Sequence, residues 1–190
     1  MRPRELDLSD AYLAAQNLLG WKLVHQSPQG RTAGYIVETE VYTMDDPASH
    51  AHHGETPRNT AMFQESGTIY VYFTYGLHHG VNIVTGIKGH GQGVLIRAIE
   101  PVEGIELMKM RRNTQNNKIL TNGPGKLTQA MGINLELRGT DIDTGPIFIE
   151  PGIKPVEIIQ TTRVGISKAQ SKPWRFYIYG NPNVSKLVRL

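Results

Sequence analysis

Residues 32–42 read TAGYIVETEVY, and this run decides the fold. It is rich in β-branched residues and alternates in part, the pattern of a strand. Upstream, residues 21–25 look extended and Ser27-Pro28-Gln29-Gly30 has turn chemistry, so the two runs read as a hairpin. Downstream, residues 68–74 (TIYVYFT) carry the strongest strand signal in the chain. Strands at 81–85 and 94–99 follow around Gly89-His90-Gly91-Gln92-Gly93, with Pro101 closing the second. Late strands are expected at 155–166 and 175–179, and a turn at Gly180-Asn181-Pro182-Asn183. Helices are expected in three places. Near the start, Asp7 or Ser9 can cap a stripe of Tyr12, Leu13, Leu18 and Leu19 that Gly20 stops. Residues 103–112 place acids early and bases late, matching the helix dipole. A third helix opens at Pro124 and runs to about Met131. Residues 43–60 and 113–122 read as loops. With no repeat, low-complexity tract or linker, the expectation is one α+β domain over residues 1–190 with a mainly antiparallel sheet.

Composition narrows the class. The chain has 190 residues, 39% of them hydrophobic and 19% charged, which suits a packed core and argues against wholesale disorder. No apolar run approaches the ~20 residues of a membrane span. The opening MRPRELDLSD lacks the apolar stretch of a signal peptide, so a cytoplasmic protein is expected. There is no cysteine, which removes disulfides, thiolate zinc sites and iron–sulfur clusters together. The net charge of +3 hides an uneven distribution. Residues 1–106 carry 7 basic and 12 acidic side chains, while residues 107–190 carry 13 and 5. No acid occurs from Leu107 to Leu135, where Lys109, Arg111, Arg112, Lys118 and Lys126 all fall. Such asymmetry points to a polyanionic partner or to solvated basic faces.

Three groups of residues could carry chemistry. On a strand, Glu38, Glu40 and Tyr42 point to one face and Val37, Thr39 and Val41 to the other. Two carboxylates and a phenol beside a long loop suit an active site, or a solvated outer face. Tyr70 and Tyr72 share a face, with Tyr75 where the strand turns. They read either as core or as rings that stack a nucleobase. His50, His52 and His53, with Glu55 close by, are a weak metal signal; otherwise His50 walls a pocket and the others are exposed. There is no Gly-x-Ser-x-Gly elbow, phosphate-binding P-loop or Rossmann glycine fingerprint, which weakens esterase, NTPase and dehydrogenase readings.

With these residues in view, the sequence resembles the alkyladenine (3-methyladenine, or methylpurine) DNA glycosylase family. The resemblance rests on Ile36-Val37-Glu38-Thr39-Glu40-Val41-Tyr42, Thr56-Pro57-Arg58-Asn59, and Gly67-Thr68-Ile69-Tyr70-Val71-Tyr72 with Tyr75-Gly76. It continues through Leu95-Ile96-Arg97-Ala98-Ile99-Glu100-Pro101, Gly123-Pro124-Gly125-Lys126-Leu127, Arg163-Val164-Gly165-Ile166 and Arg175-Phe176-Tyr177. The order is the family's, nearly the whole chain is covered, and a bacterial-type, single-domain member is implied. The resemblance implies a curved sheet flanked by helices and a repair enzyme that flips alkylated or deaminated purines out of duplex DNA. It implies hydrolysis of the N-glycosidic bond by water without metal or other cofactor, leaving an abasic site. Glu40 resembles the base that activates water, and Arg97 and the Val164 carbonyl resemble groups that help place it. Tyr42 and His50 match one wall of the base pocket and Tyr72 the other. Asn82 matches the position that restricts purines with an exocyclic amino group, and Tyr75 the side chain inserted into the gap left in the duplex. The stretch from Tyr42 to His50 is one residue shorter than in vertebrate members, and Leu77-His78-His79-Gly80 is less apolar than theirs.

Physical chemistry fits these roles. Extruding a nucleotide costs a few kcal/mol, which a wedge such as Tyr75 offsets by filling the stack. Electron-rich rings attract a cationic alkylpurine by ~0.5–2 kcal/mol per good contact. An ionised Glu40 can stabilise the oxocarbenium-like sugar as well as accept a proton. No lysine adjoins the Glu40 motif, so hydrolysis without strand cleavage is expected. The basic half, Arg111 and Lys126 in particular, is expected to contact phosphates of double-stranded DNA, with the protein acting as a monomer. Two other readings remain open: a non-catalytic nucleic-acid binding module, and a metal-dependent hydrolase built on His50, His52 and His53.

Overall fold

The computed structural model describes residues 6–74, 76 and 78–186. Asp10, rather than Asp7 or Ser9, starts the first helix, α1 (Ala11–Asn17), accepting from the amides of Tyr12 and Leu13 at 2.8 and 3.0 Å. Its buried stripe is Ala11, Ala14, Ala15 and Leu18, at the i, i+3, i+4 spacing of one helix face, whereas Leu13 is 49% exposed. Small residues let the helix lie close on the sheet. Strands β1 (Lys22–Ser27) and β2 (Gly30–Tyr42) form the expected hairpin. Strands β3 (Ile69–Thr74), β4 (His78–Val84) and β5 (Gly93–Glu103) follow as an antiparallel meander. Then come α2 (Ile105–Arg112), α3 (Pro124–Met131), β6 (Ile147–Glu150), β7 (Ile158–Thr161) and β8 (Arg175–Ile178). The helix ends use the expected chemistry: Pro124 sits in the first turn of α3, and Asn113 and Gly132 close α2 and α3 at φ of +48° and +72°.

All strands join one curved, antiparallel, eight-stranded sheet in the order β3-β4-β5-β2-β1-β6, with β8 against β2 and β7 against β8. The α+β expectation therefore holds. The thirteen-residue β2 is the shared strand, paired with β5 along one edge and with β1 and then β8 along the other. Three expectations change. Pro101 does not end β5, which runs on to Glu103; Pro101 lies opposite Gly34 beside a bulge, where a missing N–H is tolerated. Of the strand expected at 155–166, only Ile158–Thr161 forms, and residues 163–166 are loop. Strand β6, whose IFIE alternates buried and half-buried, pairs with β1 and was not anticipated.

The two faces of the sheet do different work. One packs the helices: Val37 and Val41 of β2, Ile69 and Val71 of β3, Val81 and Ile83 of β4, and Val94, Ile96 and Ala98 of β5 all join one core cluster. Full burial of each large aliphatic side chain is worth ~1.5–3 kcal/mol, an upper bound because the unfolded chain already buries some of it. The opposite face carries the intervening residues, and residues 43–63 fold over it. Ala51, Ala61, Met62 and Phe63 of that segment pack with Tyr70 and Val84 in a second, smaller cluster.

Candidate active site

The period-2 reading of β2 is realised: Thr39 donates to the Ala15 carbonyl of α1 at 2.7 Å, while Glu38, Glu40 and Tyr42 emerge on the other face. That face is not a solvated surface. Both glutamates are fully buried. A β-bulge supplies what buries them. The β2–β5 pairing passes from Glu38 opposite Ala98 to Thr39 opposite Ile96, so Arg97 is the extra residue on β5. Bulges re-aim side chains beside active sites, and here Arg97 is delivered onto both carboxylates. Its Nε donates to Glu38 Oε1 at 3.0 Å and its Nη1 to Glu40 Oε2 at 3.1 Å.

Glu40 accepts two more hydrogen bonds, from the Tyr42 hydroxyl at 2.9 Å and from the Val164 amide at 2.9 Å. The first falls on Oε2 with Arg97, and the second on Oε1. A carboxylate offers about four acceptor positions, so one remains open on Oε1. Burial pushes the Glu40 carboxyl above its usual range, against the opposing pull of Arg97, the Val164 amide and Tyr42. Burial also works against the Arg97 charge, but Glu40 and Glu38 outweigh it and hold the guanidinium above its usual range. The Val164 carbonyl accepts from Arg97 Nη1 at 3.4 Å, so this residue is tied to the site through both backbone groups.

Tyr42, Arg97 and Val164 of this group line a cleft of about 540 Å³ together with His50, Tyr70, Tyr72 and Asn82 among others, and Glu40 is bonded to all three from behind. The volume suits a small-molecule-sized ligand. The walls differ from the expected arrangement. His50 stands edge-on to Tyr72, ring centroids 4.6 Å apart, and its Nδ1 hydrogen-bonds the Tyr70 hydroxyl at 3.0 Å. No flat ring fits between partners that close, so His50 and Tyr72 form one corner together, and Tyr42 comes to the cleft separately from β2. Burial, aided by Arg58, lowers the His50 pKa and keeps the ring neutral. Tyr72 lies across its β4 partner Gly80: a Cβ there would come within 2.6 Å of the phenol ring. Asn82 donates to the Tyr70 carbonyl at 3.1 Å.

Several supporting residues carried no role in the sequence reading. Asn59, in the Thr56-Pro57-Arg58-Asn59 motif, donates to the carbonyls of His50 and Gly54 at 2.7 and 3.0 Å and so fixes the loop that presents His50. Arg163, fully buried, pairs with Asp46, donates to the Val41 carbonyl at 2.9 Å and places its guanidinium 4.7 Å from the Tyr42 ring. It pins the Val164 loop to the cleft loop. Asn59 acts locally, on carbonyls 9 and 5 positions back, whereas Arg163 reaches Asp46 across 117 positions, a contact that no local pattern reveals. Tyr75 and Leu77 fall outside the described residues. The two basic candidates separate. Lys126 lies in the first turn of α3, two residues after the cleft-lining Pro124, and donates to Asn122 at 2.9 Å. Arg111 lies beside Gly132 at the other end of α3, donating to Ser27, Gln29 and the Ala130 carbonyl. His53 reaches the cleft and packs on His52, and among the described residues no three His, Asp or Glu side chains converge as metal ligands would.

Residues 6–182 match the model of the family described as methylpurine-DNA glycosylase (MPG). The chain belongs to the methylpurine-DNA glycosylase family. A relative from Methanoculleus marisnigri is 49% identical over 182 residues, covering 93% of this chain and 94% of its own. One from Carboxydothermus hydrogenoformans is 44% identical over 97% of this chain and 98% of its own, and one from Prosthecochloris aestuarii 50% identical over 96% and 90%. All three are called "Putative 3-methyladenine DNA glycosylase". In this family member, the strand quoted at the outset supplies Glu38, Glu40 and Tyr42, and the segment around Arg163-Val164 closes onto them from 124 residues away.

Proposed function

We propose that this methylpurine-DNA glycosylase family protein excises alkylated or deaminated purines, of the 3-methyladenine and hypoxanthine type, from double-stranded DNA. The damaged nucleotide is flipped into the 540 Å³ cleft, and water hydrolyses its N-glycosidic bond to leave an abasic site. The observation that carries this reading is Glu40: a buried carboxylate with raised proton affinity, held by three donors that all belong to cleft-lining residues, with one acceptor position left on Oε1. A group that must take a proton from water works best when its pKa moves toward the working pH. A module that only bound DNA would have no use for a buried carboxylate beside the phosphates, which repel it.

The extruded purine lies between Tyr42 and the corner formed by His50 and Tyr72, and Asn82 bears on which exocyclic groups are admitted. Tyr75 fills the gap in the duplex, and Lys126 and Arg111 are assigned to phosphates. The protein acts as a monomer on chromosomal DNA in the cytoplasm. Lys168 also lines the cleft, but it is exposed. An amine becomes nucleophilic by desolvation or beside another cation, so the reading remains hydrolysis without strand cleavage.

Incubation with duplexes containing 3-methyladenine or hypoxanthine tests this. The expected products are free base and an abasic, uncut strand. Glu40→Gln keeps DNA binding and loses ~10²–10⁴-fold in base release. Base release by Glu40→Gln at the wild-type rate overturns the mechanism. A cut strand, or a borohydride-trapped complex lost in Lys168→Ala, replaces hydrolysis with amine chemistry.

A further inference from the structure

Glu38 belongs to the same buried group as Glu40 but is bonded quite differently. Its Oε1 accepts from Arg97 Nε at 3.0 Å, Arg175 Nε at 2.7 Å and the Ser185 hydroxyl at 2.8 Å, and its Oε2 from the Ser185 amide at 2.6 Å. Three donors crowd Oε1 and one holds Oε2, so Glu38 is the more heavily bonded of the two carboxylates, with four donors against three for Glu40. The three donors of Glu40, from Arg97, Tyr42 and Val164, all belong to residues that line the cleft, whereas Arg175 and Ser185 do not. Of the two carboxylates that the strand pattern put on one face, Glu38 is the one tied into the interior, away from the cleft.

Its partners reveal its use. Arg97 is shared, Nε to Glu38 and Nη1 to Glu40, so the orientation of the guanidinium plane that reaches Glu40 is set from the Glu38 side. Arg175 lies opposite Glu40 in the β2–β8 pairing, donates to the Lys186 carbonyl and packs 5.0 Å over the Tyr177 ring. Ser185 contacts both Glu38 and, at 3.4 Å, Arg97 Nη2. Two glutamates and two arginines balance in charge within one buried assembly, and the segment at 185–186 is bound to it.

We propose that Glu38 is a positioning residue for base excision: it orients and charge-balances Arg97, through which Glu40 is held, and it fastens the segment at Ser185 onto the site. If Glu40 is the base, as proposed above, two effects separate positioning from plain structure. The groups facing Glu40 are Arg97 from β5, Tyr42 and Glu38 from β2 and the Val164 amide, with Arg175 across the strand pair and Arg163–Asp46 behind Tyr42. Among these, the charge of Glu38 raises the proton affinity of Glu40. Removing that charge alone favours the ionised form, but loosening Arg97, whose pull on Glu40 is the larger, works the other way.

In single-turnover base release across pH, Glu38→Gln is expected to slow the reaction by about ten- to a hundredfold, less than loss of the base itself. It is also expected to move the acidic limb of the profile to higher pH, because the loosened guanidinium outweighs the lost Glu38 charge. The carbon-13 shift of the Glu40 carboxyl, titrated in wild type and Glu38→Gln, reads the same change without any reaction. Ser185→Ala, which removes no charge, is expected to lose about three- to tenfold in rate with the limb unmoved. A Glu38→Gln protein whose rate falls while limb and carboxyl titration stay at wild-type values overturns positioning in favour of structure. So does a Ser185→Ala protein at the full wild-type rate, which remains informative if Glu38→Gln fails to fold. If wild type releases no base yet the Glu40 titration moves in Glu38→Gln, the assignment of activity fails and the control of Glu40 by Glu38 stands.

Discussion

Two chemically identical side chains, two positions apart on one strand, end in different surroundings because of which donors each meets. Glu40 is held by Arg97, Tyr42 and Val164, which all line the cleft, and Glu38 by Arg97, Arg175 and Ser185, of which only Arg97 does. The strand period in the sequence was enough to put both on the same face. It could not choose between them, because apart from Tyr42 the donors come from Arg97, Val164, Arg175 and Ser185, none of them local. Gly80 makes the same point from the opposite side. Within Leu77-His78-His79-Gly80 it carries no role in the sequence, yet it lies in β4 and leaves room for the Tyr72 ring. Gly80→Ala should displace that ring, whose far end can swing at modest cost to stability. Base release is expected to fall by ~10²-fold, the scale set by ångström-sized misplacement in a site. Thermal melting and single-turnover rates on the same protein check this. A rate loss no larger than the stability loss accounts for would mean that Tyr72 does not shape the cleft.

At the scale of elements, strands were far more legible than the loops that complete the site. β-Branched alternation marked β2, β3, β4 and β5 within a few residues, because a half-buried pleat imprints its period on the sequence. The segment 163–166 looked equally strand-like, with Arg163, Val164 and Ile166, and is loop. Its apolar and basic character serves a buried ion pair and a backbone contact to Glu40 instead of a ladder. Strand β6 was missed because four residues are too short a pattern to stand out. The Arg163–Asp46 pair is what joins two such loops, and breaking it should tell. Asp46→Ala leaves a fully buried arginine uncompensated, which typically costs ~3–5 kcal/mol. For a domain of this size that lowers the melting temperature by roughly 10 °C or more. Calorimetry on Asp46→Ala and Asp46→Asn measures it; a change of only a degree or two in the alanine variant would show that the pair is not what holds the loops.

Across the whole molecule, the uneven charge distribution resolves into a division of surfaces. The acidic residues that matter most to the site are buried in β2, and the basic residues of the second half either pair with buried acids, as Arg175 does with Glu38 and Arg163 with Asp46 in the following loop, or remain outside, as Lys168 does. The core also holds a pH-sensitive group. Burial, with help from Arg111 and against the Met131 carbonyl at 2.7 Å, lowers the His25 pKa below its ordinary 6.5. A histidine held neutral in the folded state stabilises the fold fully above its unfolded value, and that contribution is lost as pH falls through the folded one. His50 shifts in the same direction. The melting temperature is therefore expected to fall as pH drops from about 7 to about 5, and to fall less in His25→Gln. Parallel curves for the two proteins would assign the acid sensitivity elsewhere.

The two-faced strand at the centre has one more consequence, which concerns insertions and deletions. Val37, Thr39 and Val41 belong to the helix side and Glu38, Glu40 and Tyr42 to the cleft side. Losing or gaining a single residue between them exchanges the two sets, driving carboxylates into the aliphatic core and valines into the catalytic cleft. The loops at 43–60 and 167–173 face no such parity rule. Descendants of this chain are thus free to vary in loop length around a strand whose spelling can drift but whose letter count cannot.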